Sequence, residues 1–145
     1  VQPDALVGAA TLALVKVAGF PWEWATPAMR VGWPLVIEGA DAVERGERVW
    51  ILVDDAGDIV TGPLAEIAGR PEAEGRAALT LLNLVPIVRG VRERAEAAGI
   101  ELNPSWSQEW TEEGAAVMEP LVRRARERAA ASRAMRERET AGARA

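Results

Sequence analysis

Asp54, Asp55 and Asp58 place three carboxylates within five residues, and carboxylate oxygens are the ligands that hard cations such as Ca²⁺ and Mg²⁺ take. The spacing is not that of an EF-hand loop, which sets its acids at alternate positions ahead of a glycine. Gly57 lies among these acids, and Asp and Gly are also the residues that build tight turns. The turn is the simpler assignment, so neither a metal nor any other cofactor is expected.

Acid–base catalysis by carboxylates alone has many candidates among seventeen Glu and five Asp, and Glu23 and Glu38, flanking a tryptophan-rich stretch, represent them. The chain has no His, Cys or Tyr, which removes the side chains used most for proton transfer near neutrality, thiolate chemistry and soft-metal binding. It has neither a nucleophile-elbow serine nor a phosphate-binding glycine loop. A non-catalytic protein is therefore expected, with a carboxylate- or hard-metal-dependent enzyme as the least favoured reading.

Binding chemistry is better represented. Trp22, Trp24 and Trp33 fall within residues 20–34 together with Pro21, Pro27 and Pro34, and tryptophan is enriched at interface hot spots. Thr26 and Pro27 read as a helix start, giving a short helix that bends or ends between Gly32 and Pro34. Trp106 and Trp110, one turn apart, read as core.

A third group is basic. Residues 121–145 hold eight Arg against three Glu, whereas residues 1–120 hold nine basic against nineteen acidic residues. The chain thus reads as an acidic domain (1–120) carrying a basic Arg/Ala-rich helical arm (121–145). Arg123, Arg124, Arg126, Arg128, Arg133, Arg136 and Arg138 make the arm suited to phosphate backbones. They are equally suited to an acidic protein surface, on another copy or another subunit.

These groups need elements to hold them. Asp4 as cap and Gly19-Phe20-Pro21 as stop predict a helix over about 5–18. Leu6, Val7, Leu12, Leu14, Val15 and Val17 make it apolar nearly all round, so it must be covered all round. Either it is the central core helix, or Leu6 and Leu14 meet a partner. The run is short of the roughly 20 residues that span a bilayer, and acidic Asp4 stands where a secretory signal carries positive charge. A soluble intracellular protein, or part of a large particle, is expected.

Leu35–Arg45 has helical spacing. Arg48–Asp54 and Ile59–Thr61 around Asp55-Ala-Gly-Asp58 predict a β-hairpin near 48–61, and Leu64–Ala68 a helical turn. Apolar residues spaced by threes and fours from Ala78 to Ala98 predict a long helix over 72–98, kinked at Pro86. Ser105 and Gln108 have capping-box spacing for a last helix, in which Pro120 is a kink or a restart, and residues 131–145 have no core of their own. The fold class is α+β, mainly helical. The leading expectation is a structural subunit of a larger assembly, of the kind found in virions or injection machines, docking to other protein subunits through the first helix, the tryptophan segment and the arm. The alternative is a nucleic-acid-associated protein that uses the arm.

Overall fold

The computed structural model describes residues 2–54, 58–69, 79–108 and 112–144, excluding the side chains of 112–115. Helix α1 (Gln2–Leu12) passes into a π-helical turn (Ala13–Val17), and α2 spans Trp22–Glu44. Strands β1 (Trp50–Val53) and β2 (Ile59–Gly62) follow, then the short α3 (Leu64–Ala68), β3 (Thr80–Asn83), α4 (Leu84–Ala97) and α5 (Glu112–Arg144). The fold is α+β and mainly helical, as expected. No helix among the described residues is long and apolar enough to cross a membrane.

The hairpin forms where β-branched residues flank the Asp-rich turn, with Ile51 opposite Thr61 and Val53 opposite Ile59. A third strand completes an antiparallel sheet of order β2-β1-β3. Strand β1 is central, and its alternation shows it. Ile51 and Val53 join the main core, while Leu52 faces the other way onto Val60 and Ile67 of α3.

The expected 72–98 helix is corrected here. Residues 70–78 lie outside the described residues, but Thr80–Asn83 pair with β1, Leu82 facing Ile51. Leucines at 81 and 82 fit either period; β1 decides the matter, because its second edge would otherwise present unpaired amides and carbonyls. Helix α4 starts afresh at Leu84, with the Asn83 side chain accepting from the Val85 amide at 3.2 Å. Pro86 therefore sits in a first turn, where the lack of an N–H costs no bond.

Helix α2 also differs from expectation, running unbroken through Pro27 and Pro34. Each proline leaves one carbonyl, of Glu23 or Arg30, without its usual donor. Both residues are exposed, so water can supply the bond. Helix α5 likewise passes through Pro120, four residues after exposed Ala116. Asp4 lies within the first turn of α1 rather than capping it.

The main core lies between α1, α2 and α4 on one side and the inner face of the sheet on the other. Leu6, Ala10 and Leu14 are fully buried, forming one stripe at fourfold spacing that continues into the π turn. Leu6 and Leu14 are thus core residues of this chain, which corrects their expected place at a partner. The opposite side of the segment is not covered: Leu12 is 51% and Val17 85% exposed. Phe20 closes the connection, with its amide donating to the Leu14 carbonyl and its ring set edge-on to Trp24.

Close approach of α2 to the sheet depends on Gly32, where a Cβ would overlap the Ile59 side chain, with Cγ1 at 2.9 Å. Replacing Gly32 by Ala should destabilise the protein by about 1–3 kcal/mol, the usual cost of forcing extra volume into a packed core. Gly8, exposed on α1 with nothing within 4 Å of a built Cβ, gives the opposite sign. There, Ala should stabilise by about 0.5–1 kcal/mol through helix propensity. Urea denaturation of both variants checks the pair.

Candidate functional site

The turn between β1 and β2 is built by its own carboxylate. The Asp58 amide donates to Asp54 Oδ1 at 3.0 Å, and the Asp54 amide donates to the Asp58 carbonyl at 3.1 Å. The outer oxygens of both residues face Arg136 of α5. Its Nη2 lies 2.8 Å from Asp54 Oδ2 and 3.3 Å from Asp58 Oδ2, and it donates to Ser132 Oγ at 2.9 Å. Arg128 adds a looser contact, with Nε 3.8 Å from Asp58 Oδ1. The charge these carboxylates meet is therefore a guanidinium, and a metal ion would have to displace it. Asp55 lies outside the described residues.

Further along, Arg126 pairs with Glu38 of α2. On the same helix Met118 and Ala129 are buried, and Val122 and Ala125 pack against the main core. The arm thus lies on the acidic body of its own chain, over α2 and β2, with Val122 and Ala125 set against that body's core. Arg123 pairs within the helix with Glu127 at 4.0 Å, and Arg133 is also engaged. Arg124 and Arg138 are exposed.

Glu23 and Glu38 are not brought together. They stand fifteen residues apart on one continuous helix, about 22 Å along its axis at 1.5 Å per residue, too far to act on one bond. Glu38 is moreover occupied by Arg126.

The tryptophans separate. Trp22 and Trp24, in the first turn of α2, are 56% and 53% exposed, whereas Trp33 is half-buried against the core. The segment is helical rather than irregular. Together with Leu12 and Val17, Trp22 and Trp24 make the two ends of the α1–α2 connection strongly apolar and open.

Trp106 is fully buried, as expected, but not through a helix. The expected capping box does not form: Ser105 hydrogen-bonds Asp41 of α2 at 3.2 Å, and α5 begins beyond it, at Glu112. Asp41 also accepts from the Trp106 amide at 2.6 Å and from the Ser107 hydroxyl. Glu44, one turn on, accepts from Trp106 Nε1 at 3.0 Å and Arg92 Nε at 2.6 Å, and the Arg92 guanidinium lies 4.9 Å from the Trp106 ring centroid. Gln2 bonds the Asn103 backbone in both directions. This network was missed because its members are distant in sequence; the only local sign was Asp41 and Glu44 on one helical face. Trp110 lies outside the described residues.

Comparison with family models, with curated proteins and with solved structures finds no match for this chain.

Arg136, 21% exposed and set against carboxylates only 10–11% exposed, should hold the arm more firmly than Arg126, whose side chain is 61% exposed. Arg136→Ala should cost about 1.5–3 kcal/mol, typical of a charged hydrogen bond shielded from water, while Arg126→Ala should cost under about 1 kcal/mol. Thermal unfolding gives the two totals. Amide exchange along α5 should rise for Arg136→Ala and stay near wild type for Arg126→Ala.

Proposed function

We propose that this chain is a non-catalytic assembly subunit that docks to other protein subunits through the apolar connection between α1 and α2. The observation that supports it is the exposure of Trp22 and Trp24 in the first turn of α2, together with that of Leu12 and Val17 on the segment leading into the connection. Isolated apolar residues on a surface need no explanation, but large ones concentrated in a single connection mark interaction sites. Tryptophan contributes most there because it removes a large area from water at little cost in side-chain entropy.

The arm supports this reading less directly than its composition suggested. Arg126, Arg128 and Arg136 face carboxylates of the same chain, so fewer of its charges remain for a partner. The same pairing weighs against nucleic-acid binding along the arm, since each guanidinium held by the body is one fewer to neutralise a phosphate. The assembly reading accommodates virion and injection-machine parts, which need no catalytic residues.

The test is size-exclusion chromatography with light scattering, together with cross-linking in the cells that make the protein. Wild type should associate with its own copies or with co-purifying subunits. Trp22→Ala with Trp24→Ala should weaken that association by more than about thirtyfold, the scale of a lost hot spot of about 2 kcal/mol, while leaving the circular dichroism unchanged. A wild-type chain that stays monomeric and cross-links to nothing removes the proposal.

A further inference from the structure

A cleft of about 900 Å³ opens between the C-terminal end of α2, the start of β1, the start of α3 and the first turns of α4. We propose that it binds a phosphate monoester carrying a flat ring, a nucleoside monophosphate being the representative ligand. The inference is independent of the assembly reading, because the Trp22 and Trp24 surface is not part of this cleft.

The argument begins with charge. Among the described residues, five charged ones line the cleft: Glu44, Glu47, Arg48, Arg89 and Arg92. Both acids are already engaged, Glu44 by Arg92 at 2.6 Å and Glu47 by Arg45 at 3.3 Å. Arg48 and Arg89 are exposed and have neither an ion pair nor a hydrogen bond among the described residues. The walls therefore offer two uncommitted guanidinium groups on a body whose first 120 residues carry a net −10. Guanidinium is the side chain whose planar fork fits phosphate oxygens in pairs. The α4 N-terminus lies at the same wall through Asn83 and Val85, and its dipole adds positive potential there.

The second feature is the ring. Trp50, half-buried at the start of β1, lines the cleft with Leu64 and Val85. An indole is a surface on which a flat ring can stack regardless of its identity. Cation and aromatic together fit a ligand with a phosphate at one end and a ring at the other, and the volume lies within the range usual for small-ligand sites. The surrounding acidic body selects against a long polyanion, whose outlying phosphates would meet like charge. A small ester meets only the cleft.

Isothermal titration calorimetry on the whole chain with AMP, phenyl phosphate, inorganic phosphate and adenosine tests this. AMP or phenyl phosphate should bind at least tenfold more tightly than inorganic phosphate or adenosine, showing that both ends contribute. Arg48→Gln with Arg89→Gln should weaken that binding at least tenfold and flatten its salt dependence. Arg124→Gln, on the exposed side of α5, should change nothing. Trp50→Leu should weaken the ring-bearing ligands and leave inorganic phosphate as it was. If Trp50→Leu does not fold, the arginine pair decides, because neither guanidinium has an ion pair or hydrogen bond among the described residues to lose. Absence of binding by both ring-bearing esters at low-millimolar concentration, or an affinity unchanged by the double arginine variant, overturns the proposal.

Discussion

Helix α2 packs closely on the sheet and its flanking residues at two glycines, where a Cβ would crowd neighbouring side chains. Gly32 meets Ile59, and Gly39, two turns on and close to the same face, would put a Cβ 2.9 Å from Leu84 and 3.2 Å from Val49. Two glycines inside a helix cost about 1 kcal/mol each in propensity, and the packing they allow must offset that cost. With α2 seated, its outer edge offers Glu38, Asp41 and Glu44 at successive three-residue steps. Glu38 takes Arg126 of α5, Asp41 takes the Ser105–Ser107 loop, and Glu44 takes Arg92 and the Trp106 indole. Apolar contact on one side and anionic anchoring on the other let one helix position most of the remaining chain.

Much of this was legible locally. The hairpin, α3 and the end of the first helical segment followed from residue type and spacing, because each depends on near neighbours. What was not legible depended on partners far along the chain. Strand β3 exists because β1 has an edge to fill, and nothing in Thr80–Asn83 announces that edge. Prolines at 27, 34 and 120 read as interruptions, yet each faces a turn whose freed carbonyl belongs to an exposed residue. Ser105 had the spacing of a cap and was taken instead by Asp41, sixty-four positions away. Leu6 and Leu14 were not separable from Leu12 and Val17 until helical phase was fixed by packing.

The division of charge between body and arm also has a different meaning once the chain is folded. Opposite charges separated in sequence need not seek a second molecule, for here α5 returns and meets Glu38, Asp54 and Asp58 in cis. Asp54 and Asp58 each do two things: one oxygen or backbone group shapes the hairpin turn, and another receives the arm. A cluster that resembles a cation site in sequence is therefore a link between the sheet and the last helix.

Past Arg136 every side chain of α5 through Arg144 is exposed, so the final eight residues stand clear of the body as a rod about 12 Å long at 1.5 Å per residue. A rod anchored at its root behaves as a cantilever. Its tip inherits the orientation of the hairpin turn through Arg136, and whatever sits at the tip is held at a set reach and angle from the sheet.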